Sequence, residues 1–151
     1  YDRTLRLDSI LAKAKKLKKQ GKLDVLIVDY LQLIECDKKQ SREQEVSYIS
    51  RRLKQLSKEL DINVIALSQL SRAPEQRADH RPILSDLRES GAIEQDASII
   101  LFCYRDEYYN TETEEKNIME IIVGKNRTGT IGTIKVAWIP QYQRISNLEV
   151  L

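Results

Sequence analysis

Two short apolar runs, Val25 to Val28 and Ile62 to Leu67, constrain this chain more than any other feature. Both are rich in β-branched residues and too short for a buried helix, the pattern of strands buried on both faces in a parallel sheet. Between them Ser41 opens a helix. Gln44 stands three residues on, where a capping box requires it, and Val46, Ile49, Leu53, Leu56 and Leu60 supply one apolar stripe. Strand, helix, strand with a crossover of this length is a βαβ unit. Such units are right-handed and leave ligand crevices at the C-terminal ends of their strands. Asp29 and Gln69, which follow the two runs, are therefore expected at one edge of the sheet.

Around this unit the pattern continues. Leu7, Ile10, Leu11, Ala14 and Leu17 recur at helical spacing with lysines between them, describing an amphipathic helix that stops near Gly21. From Ser71 to Gln95 periodicity is lost. That stretch holds Pro74, Pro82, Gly91 and the basic residues Arg72, Arg77, His80, Arg81 and Arg88, and so long a connection is functional or disordered. Sheet is expected again at Ala97 to Phe102. An acidic surface loop follows, Asp106 to Glu115, and then two strands, Asn117 to Gly124 and Thr130 to Trp138, joined by a basic tip, Lys125 to Gly129.

Length and composition narrow the function classes. The 151 residues, 41% hydrophobic and 32% charged, suit one compact domain. Twenty-five basic residues against twenty-three acidic give a net charge of +2, so any contact with nucleic acid has to be local. Two distant cysteines and one histidine indicate neither a disulfide framework nor a zinc site, which fits a reducing cytosol. No apolar run is long enough to span a bilayer, and the first residues are not a secretory signal.

The chemistry-bearing candidates lie at the strand ends. Four apolar residues followed by Asp29 form a Walker B pattern, which delivers a carboxylate to the phosphate crevice to hold Mg²⁺; a turn or cap aspartate is the alternative. Gln69, carrying both a donor and an acceptor, is placed to sense a γ-phosphate, unless it simply ends a strand. The arginines of the 71–95 segment, with the backbone near Gly91, suit phosphate oxygens of a nucleic acid; solvated Arg–carboxylate pairs, Arg88 with Asp86 or Glu89, are the other reading. Lys125 and Arg127 alternate at a hairpin end and could reach a neighbouring subunit's nucleotide as an arginine finger, or stand in water. Gly124-Lys125 is not a P-loop, because Met119 occupies the required glycine position and a strand follows. None of the five glycines completes a Walker A motif, and no hydrolytic constellation competes.

Five blocks carry a family resemblance: Leu26 to Ile34, Ser41 to Val46, Val64 to Leu70, Leu84 to Asp96 and Tyr104 to Tyr109. With the Lys125/Arg127 hairpin and Asn147 to Glu149, they resemble the C-terminal domain of bacterial DnaB-type helicases over almost the whole chain. The resemblance implies a RecA-like α/β fold, a mostly parallel sheet flanked by helices with a C-terminal antiparallel hairpin, here without the P-loop strand and helix. It also implies a homo-hexameric ring that hydrolyses ATP with Mg²⁺ and moves 5′ to 3′ on single-stranded DNA, with primase and a helicase loader as partners. By the same resemblance Asp29 is the magnesium residue, Gln69 the switch, and Lys125 and Arg127 the finger pair. Arg88, Glu89 and Gly91 would grip the DNA strand, Glu89 through its backbone N–H. The chain departs from the family at Ser98, where Asp is usual, and at Thr130, where proline is frequent. The family's P-loop and catalytic glutamate lie upstream of the matched region, so this chain alone is not expected to hydrolyse ATP; a non-catalytic DNA-binding or ring-assembly module is the alternative.

Overall fold

The computed structural model describes residues 6–37, 41–87 and 91–148. They form two compact units, one of the described residues between 6 and 71 and from 87 to 97, the other of 72–86 and 98–148.

The first unit is built on the βαβ element. α1 (Leu7–Lys19) buries Leu7, Leu11 and Ala14 of the stripe its spacing predicts, with Ile10 and Leu17 half-buried, and Gly21 ends it with a left-handed φ of 67°. β1 (Val25–Val28) pairs in parallel with β2 (Asn63–Ala66), Val25 opposite Asn63 and Val28 opposite Ala66. α2 (Arg42–Leu60) crosses between them. The Ser41 side chain accepts from the Gln44 backbone N–H at 3.3 Å, satisfying one orphan donor of the first turn. Val46, Ile49, Leu53 and Leu56 are the buried stripe, and the helix ends on Asp61 in a left-handed conformation. α3 (Gly91–Asp96) packs on α2 through the buried Ile93, and the Ser50 hydroxyl donates to Asp96 at 2.9 Å.

The second unit is a four-stranded antiparallel sheet in the order β3 (Ile99–Tyr104), β4 (Ile118–Asn126), β5 (Gly132–Ile139), β6 (Arg144–Ser146). Ile100, Phe102 and Tyr104 alternate into its core.

Two expectations need correction, the burial of β1 and β2 and the length of the hairpin strand. β1 and β2 are not buried on both faces: Val25 is 44% and Ile27 64% exposed, because no described residue of their unit covers that side. Among the described residues the parallel part is the two-stranded β1–β2 sheet of the first unit, and the antiparallel part is the separate four-stranded sheet of the second, which extends the expected hairpin by a strand on either side. β4, β5 and β6 follow one another through short turns, as antiparallel neighbours can, while residues 105–117 join β3 to β4. The described part of the 71–95 stretch, where periodicity is lost, carries short 3-10 turns at Ala73–Gln76 and Leu84–Leu87 and then α3 from Gly91. The hairpin strand runs two residues further than its pattern indicates, so Lys125 and Asn126 are paired residues of β4.

Candidate functional site

Parallel pairing brings the two strand exits to one rim. The ladder runs past the strand ends through Leu67 N–H to the Val28 carbonyl and Leu31 N–H to the Leu67 carbonyl, both 2.9 Å. Asp29 leaves β1 at this rim, exposed, and the peptide between Asp29 and Tyr30 is cis. The chain then turns through a 3-10 turn, Leu31–Leu33, anchored by the buried Leu31 and Ile34. Gln69 lies at the same rim, and what holds it there is Gln32. The Gln69 backbone N–H donates to Gln32 Oε1 at 3.2 Å; Gln32 Nε2 donates to Ser68 Oγ at 3.0 Å and to the Gln69 carbonyl at 3.4 Å. The Gln32 carbonyl in turn accepts from the Arg42 guanidinium at the start of α2. Sequence reasoning singled out Asp29 and Gln69 but not Gln32. A glutamine in a turn carries no pattern of its own, and only its side-chain bonds reveal it.

Among the described residues no group of three or more His, Cys, Asp or Glu side chains is arranged to hold a metal ion. Magnesium does not need such a cage: it keeps several waters and takes one or two carboxylates plus nucleotide phosphates. Asp29, a single exposed carboxylate at the strand-end rim, fits that donor set.

Lys125 and Arg127 lie in the second unit, at the end of β4. A bulge sets Ile100 opposite Lys125 and Leu101 opposite Val123, which leaves Gly124 without a partner across the ladder. Gly124 is fixed by packing, since a Cβ there would meet the Phe102 ring at 2.6 Å. Arg127 is tied through its backbone N–H to the Ser98 carbonyl at 3.0 Å, and its side chain is exposed. Asn126 shapes the tip, its Oδ1 accepting from Thr128 N–H at 3.2 Å.

Further along β4, Glu120 is buried and held by Arg81, whose Nε and Nη2 donate to its two carboxylate oxygens at 3.2 and 2.5 Å. That bidentate bond raises the Arg81 pKa. Arg81 also lies over the Tyr104 ring, 4.8 Å from its centroid. The Tyr104 hydroxyl donates to Asp106 at 2.7 Å and to the Asp79 carbonyl at 3.0 Å, and burial first, then the Asp106 bond, pushes its pKa up. Asp106 moves down, chiefly because the Thr113 hydroxyl donates to it and Tyr104 second. The 72–86 segment is thus pinned to β3 and β4.

Arg88 and Glu89 lie outside the described residues. Gly91 is the exposed first residue of α3. Asp86, 1% exposed, is engaged by the Arg77 guanidinium and by Ile83 N–H at 2.8 Å, so the carboxylate weighed as an Arg88 partner has a different arginine on it. The sole histidine is held by structural contacts: His80 Nδ1 is 3.1 Å from the Pro74 carbonyl and its ring stacks on Tyr109 at 4.4 Å. No helix of the described residues is long and apolar enough to cross a membrane.

The chain resembles known proteins throughout. It is 53% identical over 148 residues to the replicative DNA helicase DnaB of Geobacillus stearothermophilus, covering 97% of this chain and 33% of that protein. It is 53% identical over 147 residues to the replicative DNA helicase DnaC of Bacillus subtilis strain 168, covering 96% and 32%. Among solved structures, an isolated ATPase domain superposes with a TM-score of 0.90 at 52% identity, over 95% of this chain and 52% of that one. A DnaB-like replicative helicase studied for its interactions with primase gives 0.93 at 50% identity, over 99% and 36%. The chain spans about a third of the length of these curated relatives, and its fold is the RecA-like α/β arrangement of the DnaB ATPase domain. Residues 2–147 match the DnaB-like helicase C terminal domain, and the chain belongs to that family.

Proposed function

We propose that this chain is the later part of the ATPase domain of a cytoplasmic, ATP-dependent replicative DNA helicase, both of its compact units belonging to that one partial domain. The complete protein is a homo-hexameric ring that moves 5′ to 3′ on single-stranded DNA and works with primase and a helicase loader. The observation that carries this reading is the shared rim of Asp29 and Gln69 in a chain half identical to replicative helicases.

In this mechanism the chain's own groups orient and sense; they form no covalent bond. ATP with Mg²⁺ supplies the phosphoryl group whose hydrolysis drives movement. Asp29 would hold the magnesium ion from the end of β1. Gln69, a neutral amide on the neighbouring strand exit, exchanges a hydrogen bond with the γ-phosphate and reports its presence along the 70–91 connection, where Arg88, Glu89 and Gly91 hold the DNA backbone. Lys125 and Arg127 reach the nucleotide of the adjacent subunit and stabilise the charge that develops on the transferred phosphoryl. The P-loop that cradles the phosphates in such motors has no counterpart in these 151 residues, so the chain by itself does not turn over ATP.

The test is Arg127→Ala in the full-length protein. Ring hydrolysis falls by about a thousandfold or more, the scale of an arginine finger, while nucleotide affinity stays within about twofold. Unchanged turnover removes Arg127 from the mechanism.

A further inference from the structure

We infer that Gln32 is a positioning residue for Gln69, setting where the exit of β2 stands relative to Asp29. The functional half of this inference rests on the switch role proposed for Gln69; the structural half does not.

The backbone itself leaves the position open. A parallel ladder continuing past Leu67 would present the next carbonyl of the β1 side to the Gln69 N–H. That side has already turned away, with the Tyr30 carbonyl accepting from Leu33 N–H at 3.0 Å and the Leu31 carbonyl from Ile34 N–H at 3.1 Å. Gln32 replaces the missing rung. A side-chain amide carries the same donor and acceptor as a peptide group, and Gln32 offers both: Oε1 to Gln69 N–H at 3.2 Å and Nε2 to the Gln69 carbonyl at 3.4 Å. Its second amide contact, to Ser68 Oγ at 3.0 Å, orients the group.

The two partners differ in how firmly they are held. Gln32 sits between the buried Leu31 and Ile34, with its carbonyl on Arg42, whereas Gln69 is exposed. The frame is therefore the segment that begins at Asp29, and Gln69 is registered against it. The residues that carry the proposed magnesium carboxylate and phosphate-sensing amide are then aligned by one side chain, three residues from the first and bonded to the backbone of the second.

The experiment has two arms. In the 151-residue chain, amide hydrogen exchange is followed at Gln69 and, as reference, at Leu53 inside α2. Gln32→Leu, which keeps the volume and removes both hydrogen-bonding groups, accelerates Gln69 exchange by about tenfold, the worth of one neutral hydrogen bond. Leu53 exchange and the thermal midpoint do not change. Ser68→Ala, which leaves the Gln69 pair intact, changes Gln69 exchange by less than about threefold. In the full-length protein, Gln32→Leu lowers the stimulation of hydrolysis by single-stranded DNA about tenfold, with nucleotide affinity within about twofold.

Gln69 exchange unchanged in Gln32→Leu overturns the inference. Faster exchange with full DNA stimulation overturns the switch reading instead. Should Gln32→Leu not fold, Gln32→Glu decides: its carboxylate still accepts from Gln69 N–H but has no proton for the Gln69 carbonyl. Gln69 then stays protected while DNA stimulation falls, and equal loss of both, or of neither, counts against the positioning role.

Discussion

Replacing Arg81 with leucine gives a stability change whose size the structure lets one work out. Arg81 makes a two-pronged bond to Glu120, which sits buried on β4, while the arginine itself is 42% exposed. Breaking a fully buried pair from one side costs about 3–5 kcal/mol, because a desolvated charge is left alone. Here water reaches the arginine, so the loss is closer to the worth of charge-assisted hydrogen bonds, about 2 kcal/mol. Urea unfolding of the 151-residue chain reads it through Trp138, the single tryptophan, which lies on β5 in the same unit. With a slope of about 1–2 kcal/mol/M, the midpoint falls by about 1–2 M and the slope is unchanged. The double variant Arg81→Leu/Glu120→Leu recovers most of that loss, since an apolar pair can replace a buried ion pair at little cost. If the single variant unfolds with the parent, or the double loses as much as two independent lesions, the claim that a buried carboxylate depends on Arg81 is wrong.

Two further outcomes follow from the same unit. Gly124→Ala places a methyl against the Phe102 ring, where the ideal Cβ lies 2.6 Å from a ring carbon; overpacking of this kind costs about 1–3 kcal/mol, and a chain as stable as the parent in urea would show that the bulge relaxes freely. Tyr104 has a raised pKa, chiefly from burial, so its contribution is complete below the ordinary phenol pKa of about 10 and declines as pH rises beyond it. Tyr104→Phe is accordingly less stable at pH 7, yet loses less between about pH 10 and 12 than the parent does; parallel curves for the two chains would show that the buried hydroxyl is not what titrates.

The local code was legible. Ser41 and Gln44 marked the start of α2, the Val46–Leu56 stripe marked its buried face, and the apolar runs marked β1 and β2, because caps and 3.6-residue or strand periodicity are written in neighbouring residues. The five residue blocks pointed to the family that residues 2–147 match. From this alone Asp29 and Gln69 could be set at one rim, since the handedness and direction of a βαβ crossover leave no other place for them.

What the sequence could not supply were bonds between residues far apart in the chain. Gln32 clasping Gln69 spans 37 positions, and Arg81 gripping Glu120 spans 39. Neither pair leaves a spacing signature, because a side chain's partner across a fold depends on how the backbone turns between them. The same limit hid the open side of β1, where Val25 and Ile27 read as buried but stand exposed: periodicity reports that a face is apolar, and only tertiary packing decides whether anything covers it.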